Sequence, residues 1–200
     1  MEEKKDKIEK LKRQIARCRR CVLNKTRTNT VPGEGSADAR IMFIGEAPGQ
    51  SEDEQGRPFV GRAGHILDQL LESIDLKRED VYICNILKCR PPSNRNPLSD
   101  EIRACAGALD RQIKVIDPVI IATLGSFATT TIFEKFGLAP AKISAVHGKV
   151  FDTQTPFGPK KIIPLFHPAV ATYDASKLDL LKKDFRIFQN ILQEECAHHD

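Results

Sequence analysis

The residues able to do chemistry in this 200-residue chain fall into two groups. Cys18 and Cys21 form a CxxC pair, Cys89 opens a stretch rich in proline and asparagine, and Cys105 follows further on. A CxxC joined at long range by two more cysteines suits four-thiolate ligation. A four-iron cluster and a tetrahedral zinc are both compatible with it, and unligated buried thiols are the third reading. Cys84 and Cys196 lie outside the pattern. The second group is the stretch at 45–64, GEAPGQSEDEQGRPFVGRAG, with five glycines, two prolines, four acidic residues and Phe59. It directly follows the apolar run Ile41-Met42-Phe43-Ile44. Past a strand, this composition builds a rigid cavity wall with carboxylates and backbone N–H groups directed into the cavity.

The elements that must position these residues are legible from periodicity. Ile8, Leu11, Ile15 and Cys18 at helical spacing predict a helix over 5–20. Apolar runs predict strands at 40–45, 81–87, 119–124 and 162–166, with a lesser strand at 146–151. Between them, amphipathic patterns predict helices from Gly64, from Ser99 as N-cap to Pro118, after Gly125, and from about Ser176. Strands that read as continuous apolar runs and alternate with helices indicate an α/β sandwich around a largely parallel sheet, formed by one domain spanning 1–200. Ligands of such sheets bind outside the carboxyl ends of the strands. Those ends carry Glu46, the segment 85–95, Ser126 and His167, which predicts one composite site.

Composition bounds the partners. With 40% hydrophobic and 29% charged residues and a net charge of +4, the chain reads as an ordinary soluble protein. The charge permits nucleic-acid binding without requiring it. Lys88, Arg90 and Arg95 concentrate positive charge in one loop. No run approaches the ~20 apolar residues of a membrane span. The N-terminus lacks the apolar core of a signal peptide, so a cytoplasmic location without disulfides is expected.

GEAPG at 45–49, GRPFVGRAG at 56–64, NILKCRPPSNRNP at 85–97, HPA at 167–169 and the four cysteines, in this order across nearly the whole chain, resemble the iron–sulfur (family four) uracil-DNA glycosylases. The resemblance implies a three-layer α/β/α sandwich with a central four-stranded parallel sheet. It also implies a 4Fe–4S cluster on Cys18, Cys21, Cys89 and Cys105, to which the N-terminal helix brings ligands, with zinc the lesser alternative. The implied reaction is hydrolysis of the N-glycosidic bond of uracil flipped out of DNA, leaving an abasic site.

In that reading Phe59 stacks on the uracil ring. The Asn85 amide donates to O4 and accepts from N3–H, a pattern that cytosine reverses. His167 and the backbone N–H groups near Glu46 and Ala47 stabilise charge on O2. Glu46 and Glu52 are the candidate catalytic carboxylates, Glu52 also the wall that excludes the thymine methyl, and Asp53 is structural or solvated. His147 serves packing or capping, and His65, His198 and His199 lie at the surface. Lys88, Arg90 and Arg95, with Ala171 and Thr172 of the loop at 167–174, would contact DNA. Relatives often place a bulky leucine in that second loop, where this chain has Val170, Ala171, Thr172 and Tyr173. The expected partner is uracil-containing DNA, single- or double-stranded, met by a monomer, with a replication clamp as a further candidate. The competing functions are a non-catalytic or covalently trapping damage-binding protein of the same superfamily, and a ferredoxin-like carrier. The wide gap between Cys21 and Cys89 disfavours the carrier.

Overall fold

The computed structural model describes residues 2–172, 174 and 176–197, and only the backbone of 194–197. Tyr173, His198, His199 and the Cys196 side chain therefore lie outside the described residues. The elements run α1 (Glu2–Ala16), β1 (Glu34–Gly35), β2 (Ile41–Gly45), α2 (Gln50–Gln55), α3 (Arg62–Glu72), β3 (Tyr82–Asn85), α4 (Ser99–Ile116), β4 (Ile120–Leu124), α5 (Ser126–Lys135), α6 (Ile143–Val146), β5 (Phe151–Thr155), β6 (Gly158–Leu165) and α7 (Ser176–Ala197).

Among the described residues the sheet has six strands in the order β1-β3-β2-β4-β6-β5. The four central strands are parallel, and β1 and β5 add antiparallel edges. The expected four-stranded sheet is thus its parallel centre. The edges escaped the apolar pattern for a physical reason. A strand exposed on one face alternates in burial, as Phe151–Thr155 does, and carries polar residues that an apolar run excludes. The expected strand at 146–151 accordingly begins only at Phe151, after the short helix α6.

Both sheet faces are covered. On one, Phe43, Ile83, Ala122 and Ile163 meet Leu67 and Leu70 of α3 and Leu181, Phe185 and Phe188 of α7. Phe43 stacks on Phe185 at 5.6 Å between ring centroids, and Phe188 meets Phe43 edge-on at 5.5 Å. On the other face, Met42, Ile44, Tyr82 and Ile121 meet Ile8 of α1, Leu109 and Ile113 of α4, and Ile132 and Phe133 of α5. This is the three-layer α/β/α sandwich.

Two helix ends differ from expectation. α1 stops at Ala16, before the CxxC pair, and the Arg27 guanidinium takes the carbonyls of Cys18 at 2.7 Å and Ala16 at 3.5 Å. Cys18 and Cys21 therefore sit in irregular chain after the helix. At α4 the N-cap is Leu98 in place of Ser99. Its N–H donates to Glu101 Oε2 at 2.9 Å, so a carboxylate within the first turn satisfies the donor of the residue that enters the helix.

The 45–64 stretch holds the short α2 and then a turn in which Phe59 adopts φ +51°, a left-handed value rarely taken by an aromatic residue. Two contacts hold it there. Arg78 bonds the carbonyls of Pro58, at 3.0 Å, and Phe59, while pairing with Glu34 at 2.6 Å and Asp68 at 2.5 Å. Gly64 lets the Phe59 carbonyl approach so closely that any Cβ there would overlap it. Gly64→Ala is accordingly expected to lower unfolding stability by about 1–3 kcal/mol, the usual consequence of overpacking, as measured by urea denaturation.

Candidate active site and cysteine cavity

The register of β2 on β3 pairs Gly45 with Asn85, and this pairing builds the site. A Cβ on Gly45 would overlap both Asn85 Oδ1 and the Phe59 ring, so the missing side chain is what lets amide and ring meet. Phe59 is 5% exposed and Asn85 2%. The Phe59 ring lies 5.7 Å from that of His167, inclined by 29°. Gly125, at φ +95°, lets His167 approach from the end of β6, where a glycine Cβ would stand 3.1 Å from His167 Cβ. One aromatic face from the turn before α3, one amide from the end of β3 and one imidazole from the end of β6 thus converge.

Their protonation follows from their surroundings. Burial lowers the His167 pKa below the ordinary histidine range, partly opposed by the charge of Glu52. The Ala169 N–H donates to His167 Nδ1 at 3.2 Å, which leaves the proton of the neutral ring on Nε2 as a donor. Glu46, half-buried, has its pKa raised by desolvation. It shares with His167, Ser126, Phe127 and Asn96 the lining of an open cleft. Ala47, next in the chain, packs toward Leu23, Leu87 and Cys89.

Glu52 does something else. Its Oε1 accepts from the N–H groups of Val60 and Gly61, both at 2.9 Å, and its Oε2 from Gly49 N–H at 3.1 Å. A carboxylate engaged by three backbone donors braces the pocket loop. The structure thus places Glu52, expected as a catalytic carboxylate, on the backbone of the loop that carries Phe59. Asp53 is buried and accepts from the N–H groups of Thr28 and Asn29, a structural role. His147 bonds Asp184 at 2.7 Å and packs on Phe166, as expected of a packing histidine.

The basic loop is also corrected in part. Lys88 is 2% exposed, and its Nζ donates to the Asn85 carbonyl at 2.5 Å. A buried ammonium reaches no phosphate, so Lys88 leaves the DNA-contact set. Arg95 pairs through two nitrogens with Glu101, at 2.9 and 2.5 Å, and Glu101 is fully buried. Arg90 bonds Asn94 Oδ1 at 2.7 Å. Both arginines keep a partly exposed face while the loop is braced from within. In the second loop Thr172 bonds the Ala169 carbonyl at 2.7 Å, and Val170 and Ala171 pack against the α3 side of the core.

Cys18, Cys21, Cys89 and Cys105 line one small cavity, together with Arg20, Asn24, Arg27 and Lys88. Arg20 donates to Cys18 Sγ at 3.4 Å and Arg27 to Cys89 Sγ at 3.0 Å. Burial pushes Cys89 up to about 11 and raises Cys105. At Cys18 burial also works upward, but the Arg20 hydrogen bond and the nearby arginine charges outweigh it. Four sulfurs around one cavity with cationic donors beside them fit a thiolate-bound inorganic group. Among the described residues no three acidic, histidine or cysteine side chains converge as the ligands of a single ion would. Sequence reasoning missed Arg78, Arg27 and the burial of Lys88. A basic residue carries no local mark of whether it faces solvent or backbone carbonyls.

The sequence model of the uracil DNA glycosylase superfamily matches residues 32–194. The chain is 48% identical to the type-4 uracil-DNA glycosylase of Sulfurisphaera tokodaii over 184 residues, covering 90% of this chain and 83% of that protein. It is 46% identical to the type-4 enzyme of Archaeoglobus fulgidus, covering 90% of this chain and 91% of that one. The corresponding type-4 protein of Thermotoga maritima is 45% identical, over 81% of each. This chain belongs to the uracil DNA glycosylase superfamily.

The two titrating groups make opposite pH predictions. Glu46 has a raised folded-state pKa, so between its unfolded and folded values the native state binds the extra proton. Its contribution to stability falls as pH rises through that window. Glu46→Gln should therefore raise the melting temperature at pH 7 and change it little at pH 4, by about 2–4 °C for each kcal/mol recovered. His167 has a lowered folded-state pKa, so the unfolded chain takes the proton first as pH drops below the ordinary histidine range. Stability falls on the acid side of that range, and His167→Asn should flatten the decline in melting temperature between pH 7 and pH 5.

Proposed function

We infer that this protein excises uracil from DNA, hydrolysing the N-glycosidic bond and leaving an abasic site. The observation that carries this reading is the convergence of Phe59, Asn85 and His167 against Gly45. A uracil flipped from the helix stacks on Phe59. Asn85, whose side chain is engaged in no hydrogen bond among the described residues, donates to O4 and accepts from N3–H. As the C1′–N1 bond breaks, its electron pair passes to the base, and charge gathers on O2. The Nε2–H of neutral His167 donates to that oxygen, with backbone N–H groups near Glu46 and Ala47, in a partly desolvated site where such donors act strongly. Water adds to the sugar cation, and the proton it loses passes through solvent to the departing uracil anion, which leaves as neutral uracil. Glu46, whose carboxylate borders the cleft while both Glu52 oxygens are held by backbone, orients that water and offsets the cationic charge.

We assign a 4Fe–4S cluster to Cys18, Cys21, Cys89 and Cys105, with zinc the lesser alternative, because these four thiols line one cavity and Arg20 and Arg27 donate to two of their sulfurs. The cluster supplies structural cross-linking between the N-terminal segment, the 89–97 loop and α4; hydrolysis needs no redox change. Phosphate contacts are assigned to the exposed faces of Arg90 and Arg95 and to the loop bearing Ala171 and Thr172. No helix among the described residues is long and apolar enough to cross a membrane. A cytoplasmic monomer of one domain, with a replication clamp as candidate protein partner, completes the reading.

An oligonucleotide with a single uracil, incubated with the protein and then treated with alkali, should break at that position. His167→Ala should lower kcat by about 10²–10³-fold, the usual cost of one oxyanion donor. An unbroken strand with folded wild-type protein would overturn the assignment. Cys89→Ser is expected to lose iron and acid-labile sulfide, measured per chain.

A further inference from the structure

Lys88 is a buried cation without a carboxylate partner among the described residues. It is 2% exposed, and its Nζ donates to the Asn85 carbonyl at 2.5 Å. Burying a charge is costly unless an opposite charge or several hydrogen bonds compensate it. Its compensation comes from the Asn85 carbonyl and from nearby sulfurs. Lys88 lines the cavity of the four cysteines, and its charge acts on the thiols of Cys84 and Cys105. Arg20 and Arg27 reach two further sulfurs of the cavity, those of Cys18 and Cys89.

We propose that Lys88 is a positioning residue for base recognition, linking occupancy of the cysteine cavity to the placement of Asn85. This rests on the assignment of an anionic thiolate-bound cluster to that cavity. The cluster's negative charge holds the ammonium in place, and the ammonium in turn fixes the carbonyl of the residue that reads uracil. Two backbone bonds make this lever stiff. Ile86 N–H donates to the Gly45 carbonyl at 2.9 Å and Leu87 N–H to the Glu46 carbonyl at 3.1 Å. A displaced Lys88 therefore shifts Asn85 against Gly45 and Phe59, the contact on which the pocket is built.

The test compares wild type, Lys88→Met and Lys88→Arg by three measurements on the full chain. These are the rate of iron release to a chelator, inhibition by free uracil, and affinity for DNA already carrying an abasic site. Lys88→Met should release iron about tenfold faster and bind free uracil about tenfold more weakly, as loss of a charged hydrogen bond implies. Its affinity for abasic DNA, which presents no base to Asn85, should stay within about twofold, and Lys88→Arg should recover part of both losses. Equal weakening toward uracil and abasic DNA would mark a merely structural role and overturn the proposal, as would unchanged iron release and uracil inhibition. If Lys88→Met does not fold, wild type stripped of iron decides the matter. Weaker uracil inhibition with an unchanged far-ultraviolet spectrum supports the link, and unaltered inhibition refutes it. Wild type purified without iron or sulfide would instead overturn the cluster assignment, and this link with it.

Discussion

The parallel ladder between β2 and β3 does not stop where the strands do. Beyond Gly45 and Asn85 it continues through Ile86 N–H to the Gly45 carbonyl and Leu87 N–H to the Glu46 carbonyl. These two bonds hold side by side the chain that leads to Glu46 and Ala47 and the chain that leads to Lys88 and Cys89. One borders the cleft that Glu46 shares with His167, and the other enters the cysteine cavity. Remove this extension and the two chains separate within a few residues of the sheet. The pocket and the cavity are therefore consequences of one piece of backbone pairing.

Around that pairing, loops are held by buried or half-buried charges that bond backbone groups. Glu52 gathers three N–H groups of the pocket loop, and Asp53 ties the same segment to Thr28 and Asn29. Glu101 caps α4 and grips Arg95, and Arg78 holds the carbonyls of Pro58 and Phe59. Hydrogen bonds to ionised groups are stronger than neutral ones, and several converging on one charge fix a loop that glycines alone would leave loose. Phe59 can consequently keep a left-handed backbone without help from a substrate. Such rigidity matters for glycosidic cleavage, where donors must already stand where charge will develop.

The α/β/α layering and the four parallel strands are legible because strands buried on both faces need continuous apolar residues, as Ile41 to Ile44 and Ile120 to Leu124 show. The edge strands were not legible, since half-exposed Phe151 to Thr155 obeys a weaker pattern. Among the site residues, Phe59, Asn85 and His167 were nameable from strand ends and motif, and the fold brings them together. Glu52 and Lys88 were nameable as chemistry-bearing residues but not as to what they bond. A carboxylate facing solvent and one facing three N–H groups have the same letter.

The sequence by itself determined the layers and the strand ends that carry polar groups, because these follow from periodicity along the chain. The tertiary structure alone decided partners. It turned Glu52 inward to the loop, buried Lys88 between Asn85 and the cysteines, and moved the proton of neutral His167 to Nε2 through the Ala169 N–H. It also defined the 45–64 stretch, placing Phe59 on a pocket floor through Arg78 and Gly64. The reason is that burial and hydrogen-bond geometry depend on residues far apart in the chain, and only folding sets the distances between them.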